Sequence, residues 1–325
     1  MKSDPIQSAA QALRKAKSVL LSCHERPDGD ALGSCLGLEN ALRKAGKKAV
    51  TVNATDVAGN LLYLPGAKKV KKTPPSNGTF DLAITTDSGG LSRLAWDLSA
   101  LRKSGRVKAI LNLDHHKDNQ LFGDLNYIDL KASSTGEVVY DVLKAAKMPL
   151  NKDVALCLFT AIVTDTGSFR YSNTTHKTME IATHLMSFGI KPFQVTEALD
   201  MSYPAARVQL LGKVLASLEV DSKGKWAAIW APQDVMQAHG NRYDLLDEFV
   251  NFPRSIGSVE VAVIFKETEA GKWRVSLRSK RYLDVGTIAN SFGGGGHKFA
   301  AGLSVEGTRE AVTRLVIEAL EKGLS

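Results

Sequence analysis

The stretch Ser18-Val-Leu-Leu-Ser-Cys23-His24-Glu-Arg-Pro-Asp28-Gly-Asp30-Ala-Leu-Gly33-Ser34 decides how the chain folds. It opens on an apolar run of strand length, turns through Pro27 and Gly29, and enters a helical pattern over Ala31–Ala45. A strand feeding directly into a helix is half of a βαβ unit. The pattern continues outward from it. Strand-like runs recur at Ala49–Asn53, Leu82–Thr86 and Ala109–Leu113, and helical periodicity at Thr135–Ala146, Lys152–Val163 and His176–Phe188. Strands interleaved with helices predict an α/β domain around a mainly parallel sheet.

From about Phe188 to Pro204 the pattern loosens around Gly189, Pro192 and Pro204, which predicts a connection over 188–205 between domains at 1–187 and 206–325. Beyond it, strand candidates at Trp226–Trp230, Val259–Phe265 and Trp273–Arg278 are rich in β-branched and aromatic residues. A glycine run, Gly293–Gly296, and a final amphipathic helix from Thr308 complete a smaller α/β domain. Two domains are what 325 residues predict. An apolar fraction of 44% excludes wholesale disorder. The net charge of +8 favours anionic partners. Three cysteines without a CxxC pair argue against a disulfide framework and fit a reducing compartment. No apolar run approaches the ~20 residues of a membrane span, so a soluble cytoplasmic protein without membrane contact is expected.

Four segments place metal-ligand residues just past an apolar element. His24, Asp28 and Asp30 crowd the first turn; Asp87 ends the run from Leu82; Asp114-His115-His116 ends the run from Ala109; Asp165 closes an apolar helix. Ligands in open α/β sheets bind beyond the carboxyl ends of the strands. Each residue alone could cap a helix or make a turn. Together they gather three of seven histidines and five aspartates at one edge. Imidazole and carboxylate without thiolate suit Mn²⁺ or Mg²⁺. Six or so ligands exceed one tetrahedral ion and suit two ions sharing a carboxylate, the arrangement of phosphoester hydrolysis.

In order and approximate spacing, these residues resemble the four motifs of the DHH phosphoesterase superfamily. The segment Gly293-Gly-Gly-Gly-His297-Lys-Phe-Ala-Ala-Gly302 is similar to the signature of the DHH-associated substrate domain. Length, the absence of fused sensor domains and Thr166-Gly-Ser-Phe-Arg170-Tyr are most similar to the nano-RNase/pAp phosphatase group. The resemblance implies a catalytic domain and a substrate domain with a cleft between them. It implies one Mn²⁺ on His24, Asp28 and Asp87 and a second on Asp30, Asp87, His115 and Asp165, with Co²⁺ or Mg²⁺ as substitutes. It implies short RNA oligonucleotides and pAp-like nucleotides as partners; a homodimer is carried as an expectation with it.

The remaining assignments rest on chemistry. His116 is expected near the phosphate as a donor, and Asp114 as the carboxylate orienting a histidine ring or a structural strand-end residue. Arg278, His297, Gly294, Gly295 and Gly296 are expected to bind substrate phosphate, with Lys280 and Arg281 as further candidates. Ser133-Ser-Thr-Gly136 is read as a helix cap. Tyr171 and Phe292 are candidate base-stacking residues, while Trp226, Trp230 and Trp273 are expected in the core. Competing functions are a pApA or cyclic-dinucleotide phosphodiesterase, a pyrophosphatase or exopolyphosphatase, and a non-catalytic RNA-binding protein.

Overall fold

A computed structural model describes residues 4–94 and 96–324, with the side chain of His297 outside the description. Contacts divide the chain into two units, Met1–Ser202 and Tyr203–Ser325. The first unit runs α1 (Pro5–Lys15), β1 (Ser18–Cys23), α2 (Gly29–Lys44), β2 (Lys48–Val52), β3 (Leu82–Thr86), α3 (Leu98–Lys103), β4 (Ile110–Asp114), β5 (Leu125–Ile128), α4 (Thr135–Ala145), α5 (Lys152–Asp165), α6 (His176–Met186) and α7 (Pro192–Asp200).

Its five strands pair in the order β2-β1-β3-β4-β5, all parallel. Strand β1 carries the apolar run Val19-Leu-Leu21 because from Val19 onward it is buried on both faces. Val19, Leu21 and Cys23 join the core under α1, α2, α4 and α5, while Leu20 joins Val52, Ala83 and Ile110 on the opposite face. The chain reverses its direction of winding between β1 and β3, and that switch point opens a crevice at their carboxyl ends. The expected parallel α/β architecture is present.

Helices α2 and α5 cross unusually closely. A Cβ on Gly29 would meet Thr164 Oγ1 at 2.1 Å, one on Gly33 the Cys157 carbonyl at 2.5 Å, and one on Gly37 Leu158 Cδ2 at 2.8 Å. A Cβ on Gly33 would also meet Ala161 at 3.2 Å, and the pairs 29/164, 33/161 and 37/158 run antiparallel, so the start of α2 lies beside the end of α5.

The expected connection over 188–205 holds helix α7, with Pro192 in its first turn and Val195 and Leu199 buried in the first unit's core. The contact division follows it, between Ser202 and Tyr203. Gly189, Pro192 and Pro204 read as loop punctuation because the helix between them buries only those two apolar side chains. Helices α1 and α3 and the half-buried strand β5 carry equally thin apolar signals and were not anticipated.

The second unit contains α8 (Ala205–Leu215), β6 (Glu219–Val220), β7 (Trp226–Ala231), α9 (Gln233–Ala238), α10 (Asn251–Arg254), β8 (Val261–Glu269), β9 (Lys272–Ser279), α11 (Val285–Ser291), β10 (Gly295–His297), β11 (Ala300–Glu306) and α12 (Arg309–Leu324). Its sheet order is β10-β11-β9-β8-β7-β6, antiparallel except for β7 against β8. Trp230 and Trp273 lie in the core on the α12 side, and Trp226 packs partly buried against it. Phe292, a candidate base-stacking residue, follows α11 and packs partly buried against the same core.

Candidate metal centre

Strand ends and helix ends deliver the ligand residues to one place. Asp28 caps α2, accepting from the Ala31 N–H at 2.9 Å, while the rest of its side chain remains exposed. Asp30 lies in the first turn of α2 and is buried. Asp87 follows β3 with φ of 54°, a left-handed conformation costing about 1–2 kcal/mol for a residue with a side chain. That turn aims its carboxylate into the crevice. Asp114 ends β4, and Asp165 ends α5.

Three groups of donor atoms, each within 4.8 Å of one another, result: His24, Asp28 and Asp87; Asp30, His115 and Asp165; and Asp87, Asp114, His115 and His116. Asp87 joins them. Its Oδ2 lies 3.4 Å from His24 Nε2, while its Oδ1 lies 3.7 Å from His115 Nε2 and 3.5 Å from His116 Nδ1. His115 Nε2 is also 3.8 Å from Asp30 and 3.6 Å from Asp165. His24 Nδ1 meets the Glu25 carbonyl at 2.7 Å, and His115 Nδ1 meets that of Ala132 at 3.3 Å. A carbonyl only accepts, so each Nδ1 carries a proton, and each Nε2, facing the carboxylates, is the position where a cation can replace a proton. That is the tautomer a metal ligand needs. The donor set therefore fits divalent cations.

Charge in the cluster points the same way. Burial opposes ionisation of His24, but its hydrogen bond to Asp87 and the fields of Asp87 and Asp28 push its pKa up to about 9. His116 is likewise pushed up to about 9, because Asp114 and Asp87 outweigh burial. Burial and the neighbouring Asp87 and Asp28 carboxylates push Asp165 up to about 8. Burial, Asp87 and Asp165 hold Asp30 well above the carboxylate range. Asp87 alone goes down: burial opposes its charge, but His24, His116 and His115 surround it. Carboxylates outnumber cationic partners, and protons occupy places that metal cations can take.

Asp114 is fully buried and holds the residues that follow it. Its Oδ1 accepts from His116 Nδ1 at 2.6 Å and from the His115 N–H at 2.8 Å; its Oδ2 accepts from Asn119 Nδ2 at 2.6 Å. The second carboxylate support is Thr135-Gly136. Their N–H groups donate to the two oxygens of Asp30 at 2.8 and 2.9 Å, and Thr135 Oγ1 donates to Asp87 at 2.9 Å. Reading this segment as a helix cap alone was incomplete. Ser134 is the cap of α4, but the next two residues turn the helix's first N–H groups onto a ligand carboxylate. Asn119 and Asn173, which donates to the Asp165 carbonyl, were also missed. The one available signal was that buried Asp30 needed more donors than Ser34, four residues on, whose Oγ reaches it at 3.3 Å.

In the second unit, Arg278 lies on β9, its Nη1 donating to the Leu277 carbonyl. The glycine run does not feed a helix. It follows the end of α11, where the Gly293 N–H donates to Asn290 and the Gly294 N–H to Ala289, and it then enters β10. Gly294 and Gly296 are required by packing, since a Cβ would meet Gly302 O at 2.3 Å and Ala300 O at 2.5 Å. Lys280 Nζ donates to the Ile256 carbonyl. His297 has its backbone in β10, and the expectation for its side chain falls outside the described part. Tyr171 is partly exposed, its ring against Gly167.

The DHH family N-terminal domain matches residues 18–162, and the DHHA1 domain matches residues 234–323. The bifunctional oligoribonuclease and PAP phosphatase NrnA of Thermus thermophilus is 30% identical over 99% of this chain and 95% of its own length. The chain belongs to the DHH family. It is also 28% identical to NrnA of Bacillus subtilis, over 90% of this chain and 91% of that protein. An exopolyphosphatase-related protein from Bacteroides fragilis shares its structure with a TM-score of 0.91 at 26% identity, over 98% of this chain and 96% of that one. As a DHH phosphoesterase the chain is a hydrolytic enzyme, and the family is metal-dependent. Among the described residues, no helix is long and apolar enough to cross a membrane.

Proposed function

We propose that this DHH phosphoesterase hydrolyses short oligoribonucleotides to mononucleotides and dephosphorylates pAp to AMP, using two Mn²⁺ ions in the cytoplasm. The observation that carries the reading is Asp87, a buried carboxylate whose two oxygens face two separate imidazole–carboxylate groups. Similarity along the whole chain to oligoribonuclease and PAP phosphatase relatives gives the substrate class. On this reading His24, Asp28 and Asp87 hold one ion, and Asp30, Asp87, His115 and Asp165 hold the other. Oxygen and imidazole donors without thiolate favour manganese, with magnesium or cobalt as substitutes. When bound, such ions supply positive charge at the phosphoryl oxygens and make a water more acidic.

The chain's own groups do the rest. Asp114 fixes the His116 ring through Nδ1 and turns Nε2 away from itself. The same contact keeps the ring protonated near neutral pH, so His116 serves as proton donor. As the water oxygen joins phosphorus and gives up a proton to solvent, the bond from phosphorus to the leaving ribose oxygen breaks, and that oxygen takes its proton from His116, which is reprotonated from solvent. Arg278 is assigned to a substrate phosphate away from the bond that breaks. The test is Mn²⁺-supplemented hydrolysis of a labelled diribonucleotide, pAp, pyrophosphate and a cyclic dinucleotide side by side. Preferred turnover of the first two is expected. Exclusive turnover of pyrophosphate or of the cyclic dinucleotide overturns the assignment.

A further inference from the structure

One face of the second sheet is closed by α11 and α12. The other is closed only over part of its width. Leu210, Val214, Met236, Leu246 and Phe249 pack on Ile229 and Ala231 of β7 and on Ala262 and Ile264 of β8. Register carries this same face outward across β9, β11 and β10. Ile264 pairs with Ser276, Ser276 with Gly302, and Gly302 with Gly295. On either side of that row, Lys266 pairs with Arg274 and Arg274 with Ser304, while Ala262 pairs with Arg278 and Arg278 with Ala300. Paired residues and residues two apart share a face. The outer strands therefore present two arginines and a lysine around a floor of serine, alanine and glycine, with no large apolar side chain.

Two of the glycines lack an internal reason. Unlike Gly294 and Gly296, Gly295 and Gly302 would place a Cβ no closer than 3.7 and 3.5 Å to any described atom, and neither lies in the left-handed region. The fold would accept side chains there. Leaving the backbone bare benefits only something that comes to lie on it from outside. Beside this floor, Lys266 is half-buried, and its ammonium makes no hydrogen bond or ion pair among the described residues. Burial and the fields of Arg278 and Arg274 push its pKa down, against the opposing fields of Asp247 and Glu248 from the segment before α10. It is an ammonium lacking a direct counter-ion, next to a second cation. Arg274 and Arg278 stand four residues apart on one strand, about 13 Å at the usual rise. That spacing suits two phosphates rather than one.

We propose that Lys266 and Arg274 form a phosphate subsite distinct from that of Arg278, which holds a further phosphodiester of an oligonucleotide lying along β9 over Gly295 and Gly302. This rests on the substrate reading above and deepens it. Substrates of three or more nucleotides reach the subsite, and pAp and dinucleotides do not. Inorganic polyphosphate offers the same anionic groups at a closer repeat, so it serves as the competing arm.

The experiment uses the full chain with Lys266→Met, Arg274→Gln and Gly302→Val, each checked for an unchanged melting temperature. Anisotropy of labelled di-, tri- and pentaribonucleotides is measured in chelator, alongside Mn²⁺-supported hydrolysis of the same substrates and pAp. A charge-assisted phosphate contact predicts a roughly 10-fold or greater loss of affinity and of kcat/KM on tri- and pentanucleotides for each charge substitution, mainly in KM. Values for pAp and the dinucleotide should stay within about twofold. Gly302→Val should lose the longer substrates in the same way. The proposal is overturned if both length classes fall together, if tri- and pentanucleotide binding is unchanged, or if polyphosphate depends on Lys266 and Arg274 while RNA does not. Failure of wild type to hydrolyse any nucleotide removes the functional reading instead, since length-dependent binding in chelator still reports on the subsite. If Gly302→Val lowers the melting temperature, the two charge substitutions alone decide.

Discussion

Replacing Gly33 by alanine should damage the metal centre without touching a ligand. An added Cβ would stand 2.5 Å from the Cys157 carbonyl and 3.2 Å from the Ala161 amide and methyl. These are backbone and near-backbone atoms of α5, which cannot swing aside as a long side chain would. Helices α2 and α5 must separate by roughly 1 Å. Overpacking of this kind costs about 1–3 kcal/mol. Alanine returns about 0.5–1 kcal/mol by lowering the freedom of the unfolded chain. The net loss is about 0–2.5 kcal/mol, a fall of up to roughly 10 °C in the melting temperature of a unit this size.

The functional consequence should exceed the stability loss. Asp30 lies three residues before Gly33 on α2, and Asp165 ends α5, so separating the helices separates two candidate ligands. A misplacement of about 1 Å can cost 10²-fold in turnover. Thermal denaturation, metal titration by calorimetry and hydrolysis of a dinucleotide are the assays. Gly212→Ala is the control: this exposed glycine within α8 has no atom within 4 Å of the added Cβ, and the substitution should stabilise by about 0.5–1 kcal/mol. A Gly33→Ala protein with wild-type stability and metal affinity would refute the argument that this crossing sets the ligand positions.

Asp114→Asn should lower kcat about 10–100-fold, because the buried carboxylate orients His116. It should also shift the alkaline limb of the pH–rate profile downward, since Asp114 raises the His116 pKa. An unchanged profile would remove His116 from proton transfer. Asp81, before β3, accepts from the Lys17 and Ser18 N–H groups and pairs with Lys108, contacts that hold its pKa below the usual range. Its contribution is fully present above about pH 4, the unfolded value, and is lost as pH falls through the depressed folded value. Asp81→Asn should therefore cost about 1–3 kcal/mol at pH 7 and converge on wild type in strong acid, as urea denaturation at several pH values would show. Divalent-cation affinity should rise from pH 6 to about 9 and then flatten, because ligation displaces protons from Asp165 and His24; calorimetry in buffers of different ionisation enthalpy counts them. Affinity independent of pH would contradict that exchange.

The candidate ligands were brought to notice because geometry and residue type coincide at strand ends. Leu82–Thr86 is a run of small and apolar residues, and an aspartate directly after it can only stand at the carboxyl edge of a parallel sheet. His24 follows β1 and His115 follows β4 by the same logic. What holds those ligands was not legible, because it comes from elsewhere in the chain. Thr135 and Gly136 lie 105 and 106 residues from the Asp30 they support. Locally they look like the start of any capped helix, and only the tertiary arrangement turns their N–H groups inward. Helix α7 was hidden for a different reason: two buried residues on one turn-flanked helix give too weak a period to outweigh two prolines and a glycine.

The glycines separate along a similar line. In sequence, Gly33, Gly294 and Gly302 are equivalent: small residues near motifs. In the structure, a side chain at Gly33 would strike a neighbouring helix and one at Gly294 a neighbouring strand, whereas one at Gly302 would strike nothing described. The first two are explained by the chain's own packing, at a cost in unfolded-state entropy recovered through closer helix and strand contact. Gly302 carries that cost with no internal return. The return has to come from outside the chain. Arg274, Arg278 and Lys266 crowd the same face without large apolar cover, so the ligand that supplies it is anionic, and the spacing along β9 makes it extended.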